Sequence, residues 1–533
     1  MGLQPRNRAL RRIVLAILVL CGLAGVAVGP MLVRARGPLA TARSLSANDQ
    51  FAEAEQAYVD LAHRRPASLP VLVELLDNHA EWIVSTTRGP SARPDRAGDP
   101  SRSPPASEAG IDEVLAAPDL PADVALLARW WRAVDGDRSN AGDRAAVVIA
   151  ADRAPPAAWA NHLLGREATR SDDDDEASRR FAKEAIAFDD RRRDAAEACR
   201  HWIDDGDWGH LAAAMAEPRF ARQVGADVEF ELALRHDDWR GVIRWFFPSQ
   251  YEGATLGIWL LAGVSGIVWF GLCAIIGHVG ARPRVRVPLY LAAVVLGVLS
   301  TYVTIAISIA EERLLSFVEK GEPLLDLIYY VVGVGLREEL SKALLLLPLV
   351  PIVRRWGKRR EAMACGALVG LGFAAEENLG YFRMGLSTAL SRFMTANFLH
   401  VSTTALVAVA IDDAVRGRET RPGDLSRTLA LVIAAHGLYD FFLSSGAVGG
   451  GSFLSMFVFI LLTRRFVDVL RGLPGREGPL LRWFLVGLTA VVGASFVYAS
   501  ALVGPQHAAG ALLEGSLGIG IVAFVFVREL GTV

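Results

Sequence analysis

Between Asp326 and Val350 the 533-residue chain has one apolar stretch that nevertheless carries Arg337, Glu338, Glu339 and Lys342. Three later apolar stretches carry Glu377 with Asn378 and Tyr381, then His400, then His436 with Asp440. A charge in hydrocarbon costs at least about 2.5 kcal/mol, so ionisable groups in membrane segments face one another or a polar cavity and mark function. Glutamate, histidine, lysine and aspartate together can activate water, stabilise an oxyanion and protonate a leaving amine, as hydrolysis of a peptide bond requires. Glu338 is the first candidate for general base and Glu339 the second. Burial and a neighbouring cation such as Lys342 act on a carboxyl group in opposite senses, and their balance can poise a base for work near neutral pH. His400 and His436 either bind a divalent metal with a carboxylate such as Glu377 or Asp440, or polarise the carbonyl and shuttle the proton themselves. The sequence has no HExxH pair, so metal ligands would come from several helices.

Helical spacing groups these residues. Glu338 and Lys342, Glu377 and Tyr381, and His436 and Asp440 are each four apart and share a helix face. Gly366 and Gly370 form a GxxxG pair that lets a neighbouring helix approach closely. The apolar stretches at about 13–33, 253–278, 287–310, 325–350, 361–382, 393–415, 427–445, 452–470, 482–503 and 509–528 read as about ten membrane spans. Arg6, Arg8, Arg11 and Arg12 precede the first, which puts residues 1–12 in the cytoplasm. Ala27-Val28-Gly29 resembles a signal-peptide cleavage site, but Pro30 would follow the cut and the apolar run is too long, so an uncleaved anchor is expected. Basic clusters at Arg282 to Arg286, Arg354 to Arg360, Arg416 to Arg421 and Arg464 to Arg476 fall where alternation predicts cytoplasmic loops. Both termini are then cytoplasmic, residues 34–252 extracytoplasmic, and the polar residues converge on the outer half of the bilayer.

Composition agrees: 52% of residues are hydrophobic while 21% are charged, and the charge is grouped, as in a membrane protein with a sizeable soluble part. The net charge of −2 comes with no basic field for nucleic acid, and the four cysteines form no disulfide or zinc-knuckle pattern. Residues 34–252 read as an α-helical, tetratricopeptide-like domain, on the small-and-aromatic spacing from Phe51 to Tyr58 before Pro66 and on Gly206-Asp207-Trp208 recurring as Asp237-Asp238-Trp239. Such a domain offers a surface for a peptide or protein partner, and a plain spacer explains it nearly as well. Arg88 to Gly110, rich in Pro, Ser, Arg and Gly, reads as a flexible linker, and the acidic run Asp172 to Glu176 as a solvated loop or helix start. The expected fold is an all-α polytopic bundle, residues 253–528, with this helical domain between its first and second spans.

In order on successive segments, Glu338-Glu339-x-x-Lys342, then Gly370-x-Gly372-Phe373-Ala374-x-x-Glu377-Asn378-x-x-Tyr381, then His400, then His436-x-x-x-Asp440, resemble the PrsW family of intramembrane proteases over about residues 285–470. The resemblance implies a multi-pass bacterial inner-membrane metalloprotease, with catalytic roles for Glu338, Glu339, Lys342, Glu377, Asn378, His400, His436 and Asp440. It further implies zinc or another divalent metal on His400, His436 and Glu377, and membrane-anchored substrates of the anti-sigma-factor kind cut near the extracytoplasmic face. A glutamate mechanism without metal is the alternative. The related CPBP group uses a similar glutamate pair, but Ala343 stands where its arginine would be.

Each residue also has a plain structural reading. Lys342 serves equally as counter-ion to the glutamates, Tyr381 as part of an aromatic belt, Asn378 as an interhelical hydrogen bond and Asp440 as the group that orients His436. Arg337 and Glu376 would face headgroups, a cavity or one another, and Glu311-Glu312 would form a solvated turn. Two other functions use the same residue types. A proton- or ion-coupled transporter would need matched repeats or interrupted helices, which the sequence does not show, and an inactive scaffold would only present the helical domain.

Overall fold

The computed structural model describes residues 16–17, 19–26, 37–47, 50–64, 69–87, 115, 122–134, 141–278, 283–384, 386–419, 421–444, 451–474 and 479–531. The basic residues before the first span, Pro66 and the Arg88 to Gly110 stretch lie outside them. All regular elements among the described residues are helices, and the chain divides into two compact units, one of residues 34–253 and one of the remainder.

The first unit holds α1 (Pro38–Ser46), α2 (Phe51–Arg64), α3 (Leu69–Thr87), α4 (Ala122–Val134), α5 (Ala141–Asp152), α6 (Ala160–Arg170), α7 (Asp174–Ala187), α8 (Arg192–Asp204), α9 (Trp208–Met215), α10 (Pro218–Ala221), α11 (Ala226–Arg235) and α12 (Trp239–Tyr251). Successive helices pack on one another, and alanines let aromatic rings fill the seams: Ala177, Phe181, Ala198, Trp202 and Phe220 form one continuous core. Both Asp-Trp pairs noted in the sequence start helices. Asp207 accepts from the backbone of His210 and Asp238 from that of Arg240, while the preceding Gly206 and Asp237 both have positive φ, 71° and 52°. The acidic run starts α7, where Asp173 caps the backbone of Glu176 and the following carboxylates sit at the favourable end of the helix dipole.

A buried ion network ties three of these helices. His162 of α6 makes Nδ1–Asp194 and Nε2–Asp77 contacts of 2.7 and 3.1 Å, reaching α8 and α3. Arg166 and Arg193 complete Asp77 at 3.2 and 2.9 Å. Burial by itself would lower the His162 pKa, but the flanking carboxylates of Asp77 and Asp194 outweigh it and hold the imidazolium up to about 10. Burial likewise works against the Asp77 carboxylate, and His162, Arg193 and Arg166 hold it well below the usual range.

The second unit contains α13 (Leu256–Ile276), α14 (Pro283–Leu315), α15 (Pro323–Ile328), a π-helical segment (Tyr329–Gly335), α16 (Leu336–Leu346), α17 (Val350–Trp356), α18 (Arg359–Tyr381), α19 (Leu386–Met394), α20 (Ala396–Val415), α21 (Asp424–Ser444), α22 (Gly451–Arg471), α23 (Leu480–Val503) and α24 (Pro505–Leu530). Four stretches are long and apolar enough to cross a membrane: Leu256–Ile276, Pro283–Leu315, Leu390–Val415 and Leu480–Val503. The stretch expected as one span at 325–350 is a series of pieces. Its π segment precedes α16, and a 3₁₀ turn at Leu347–Leu349 follows it, where Pro348 and Pro351 interrupt regular hydrogen bonding. The turn expected at Glu311-Glu312 is also helical. α14 continues to Leu315, and Glu311 is recruited by Arg337 at 2.6 Å.

Glycines set the closest approaches. A Cβ on Gly370 would lie 2.1 Å from the His400 carbonyl oxygen and one on Gly366 2.5 Å from that of Thr404, so the GxxxG pair seats α18 on α20. Gly372 faces the other way, where a Cβ would stand 2.1 Å from the Val294 carbonyl of α14. In the N-terminal helix, Cys21 and Gly25 meet α23 at Gly493 and Phe496.

Candidate active site

The site is assembled where the π segment, α16, α18, α20 and α21 meet. Gly335 and Gly437 bring the end of the π segment and α21 into backbone contact: a Cβ on Gly437 would lie 2.5 Å from the Tyr330 carbonyl oxygen, one on Gly335 2.6 Å from that of Ile433. This approach sets His436, next to Gly437, against the first turn of α16. α18, held on α20 through Gly366 and Gly370, brings Glu377 to His400. π-helical turns inside membrane helices recur at functional sites, because they reset the register of the side chains that follow.

The polar groups form one chain of contacts. Glu339 Oε1 accepts from Lys342 Nζ at 2.7 Å and Thr403 Oγ1 at 3.1 Å, and lies 2.7 Å from His436 Nδ1. Lys342 Nζ, fully enclosed, also meets His400 Nδ1 at 3.0 Å and stands 4.5 Å from the centre of the Phe373 ring. On its other side, His400 Nε2 meets Glu377 Oε2 at 2.9 Å. Glu377 is further held by Arg392 Nη2 at 2.8 Å, while Arg392 Nε donates to Asn378 Oδ1 at 2.8 Å and its guanidinium stacks 3.8 Å over Tyr381. Asn378 donates onward to Asn397, and Asn397 to Ser265, both at 2.8 Å. His436 Nε2 faces Asp440 at 3.2 Å and Glu338 at 3.4 Å.

A cavity of about 510 Å³ opens onto this chain, with Glu338, Glu377, Arg392, His400, His436 and Asp440 in its wall. Glu339 and Lys342 lie behind that wall. The two adjacent glutamates have different environments: the Glu339 carboxylate is fully enclosed, with Oε1 in three contacts and Oε2 buried without a hydrogen-bond partner, whereas Glu338 reaches the cavity. Glu338 Oε2 is buried and has no hydrogen-bond partner, although Lys342, His400 and His436 stand 3.7, 4.0 and 3.4 Å from it. A buried carboxylate oxygen without a hydrogen-bond partner, flanked by two imidazoles, suits a cation. Glu338, His400 and His436 offer ligand atoms within 4.8 Å of one another, and Glu339 on His436 Nδ1 leaves Nε2 as the ligating nitrogen, so these residues fit a divalent metal.

The eight residues picked out in the sequence thus lie in one connected network, with Asn378 reaching it through Arg392. The three residues whose ligand atoms lie close enough to share a metal ion pair the histidines with Glu338; Glu377, the carboxylate expected from the sequence, is held by Arg392 and His400 Nε2. Four contributors escaped the sequence reading. Thr403 and Asn397 sit three residues after and before His400, so one helical turn around that histidine would have found them. Ser265 carried no signal. Arg392 fell just outside the stretch read as a span at about 393–415.

No curated protein and no solved structure matches the chain. Residues 286–463, which carry every group of this network except Ser265, match the family model of PrsW family intramembrane metalloproteases.

Proposed function

We propose that the cavity hydrolyses peptide bonds of membrane-bound proteins, close to the extracytoplasmic ends of their spans. The observation that carries this reading is Glu338, a carboxylate in the cavity wall with one oxygen unsatisfied and a histidine on either side. A divalent metal on Glu338, His400 and His436 would act as Lewis acid toward the scissile carbonyl and make its bound water more acidic. The chain's own groups then divide the remaining work. A cavity carboxylate, Glu377 or Asp440, takes the water's proton as oxygen adds to the carbonyl carbon and returns it to the nitrogen as the C–N bond breaks. Glu339 fixes the orientation of His436, and Arg392 that of Glu377.

One contact favours a second reading without metal. An ammonium only donates, so Lys342 on His400 Nδ1 leaves the imidazole proton on Nε2, where Glu377 accepts it and no lone pair remains for a metal. Glu338 is then itself the general base. Chelation separates the two: loss of hydrolysis, restored by zinc or another divalent ion, selects the metal reading, and full activity after verified metal removal selects the other.

The finer picture is also proposed: about ten spans, both termini cytoplasmic, and residues 34–252 a tetratricopeptide-like domain outside the bacterial inner membrane that receives a protein partner. Substrates of the anti-sigma-factor kind are part of this proposal, supported by the resemblance to the PrsW family. The test compares new protein N-termini in membranes of cells carrying the wild-type chain or Glu338→Gln. Cut ends near the outer ends of single-span proteins should vanish in the variant, and identical profiles under several stresses would overturn the protease reading in favour of transport.

A further inference from the structure

The last helix of the first unit, α12, presents an exposed apolar stripe. Trp239, Ile243 and Phe247 recur every fourth residue and are 64%, 76% and 53% exposed. Exposed Arg240 and Arg244 lie at its margin, Arg244 with its guanidinium 4.8 Å from the centre of the Trp245 ring, while Phe246 packs on Phe230 of α11 with ring centres 5.8 Å apart. None of the residues of α12 is acidic; the acidic groups nearby are Asp237 and the cap Asp238 at one end and Glu252 at the other. A helix so arranged has one face that water disfavours, with two positive charges at its margin.

The sequence that follows identifies what covers the stripe. Residues 252–255 separate α12 from α13, one of the stretches apolar enough to span a membrane. The five residue steps from Tyr251 to Leu256 reach at most about 18 Å, so α12 ends within that distance of the start of this span candidate. Exposed apolar surface resumes at once on α13, with Leu256, Trp259 and Leu260 at 74%, 45% and 62%.

We propose that α12 lies in the plane of the bilayer surface, with Trp239, Ile243 and Phe247 at the boundary of the acyl chains and Arg240 and Arg244 against anionic lipid phosphates. An amphipathic helix with an aromatic and aliphatic face and basic residues at its margin has the composition of an interfacial helix, and tryptophan favours that depth. The short link to α13 makes docking nearly intramolecular, so three apolar side chains suffice where a free helix would need more. The first unit is thereby held to the membrane at its final helix as well as by its link to the span.

The test uses the full chain in nanodiscs of phosphatidylcholine with one part in three phosphatidylglycerol. Nitroxide labels are placed at Ile243→Cys, at Phe247→Cys and, as an aqueous reference, at exposed Asp204→Cys. Cys199, Cys273 and Cys365 are buried, and the unmutated chain labelled in parallel gives the background, including Cys21. Labels at 243 and 247 should collide with oxygen, exclude a nickel chelate and report a depth of about 5–10 Å, while 204 stays aqueous. Arg240→Glu with Arg244→Glu should move the 243 label outward in these discs. A 243 label as open to nickel as that at 204 overturns the proposal, and so does one shielded from both agents, which would mean that a second copy or another protein covers the stripe.

Discussion

His162 in the first unit and His436 in the second are each held between carboxylates, but the two networks end differently. Around His162, Asp77 and Asp194 are both bonded, two arginines complete Asp77, and no oxygen of either is among the buried unsatisfied atoms. Around His436, Glu339 spends one oxygen on three partners, Glu338 keeps a buried oxygen without any, and a cavity opens beside them. The first closes on itself and fastens helices. The second retains capacity to bind, and that unused capacity, rather than the mere burial of charge, marks it as the site.

The sharpest way to break this contrast is to remove the open carboxylate. Glu338→Gln should cut hydrolysis about 10²–10⁴-fold, whereas Asp77→Asn should leave turnover within twofold or so while destabilising its own unit; the measurement is cleavage of a single-span substrate in nanodiscs, and equal losses would erase the distinction. Lys342→Met should come next. It leaves Glu339 enclosed without its cation and should destabilise the membrane unit by about 3–5 kcal/mol, read by unfolding in mixed micelles, with Glu339→Gln added to it recovering stability but not activity.

The closed network should announce itself through pH. His162 is raised in the folded state from 6.5 to about 10, so its contribution is complete below pH 6.5 and is lost as pH rises through 10. Asp77 is lowered, so its share is present above its ordinary value of 3.8 and is lost on acidification below that. The first unit should therefore lose roughly 3 kcal/mol between neutral and strongly alkaline pH, seen as a falling midpoint in thermal proteolysis of peptides from residues 160–204; His162→Gln should flatten that fall. The smallest effect belongs to Thr403→Val, which removes one of the three contacts on Glu339 Oε1 and should cost about 1 kcal/mol with little change in turnover.

Much of the membrane site was legible because a charge in hydrocarbon announces itself: Glu338, Lys342, Glu377, His400, His436 and Asp440 stand out from apolar neighbours, and their helical spacing shows which of them share a face. What the sequence did not reveal was the difference between Glu338 and Glu339. Adjacent residues on a helix point about 100° apart, and only the packing of the π segment decides which one meets the cavity. The π segment itself was illegible, since its seven residues Tyr329–Gly335 read as ordinary apolar helix. The His162 network also escaped notice, because Asp77, His162 and Asp194 are far apart in sequence and lie among many other charges, where one more carries no signal.

Enclosing Arg337, Glu338, Glu339 and Lys342 within six residues of α16 has a consequence for biosynthesis. This helix emerges from the ribosome well before α20 and α21, which supply His400 and His436, and it is too polar to wait in lipid alone. Two pairings are at hand early: Arg337 with Glu311 of the preceding α14, and Lys342 with Glu339 within its own helix. The remaining polar groups must wait in a shielded environment, such as the insertion machinery, until the histidine-bearing helices arrive. Stable burial of α16 thus depends on partners up to about a hundred residues downstream, and a chain stopped before α21 should be degraded faster than the full chain, as pulse-chase would read.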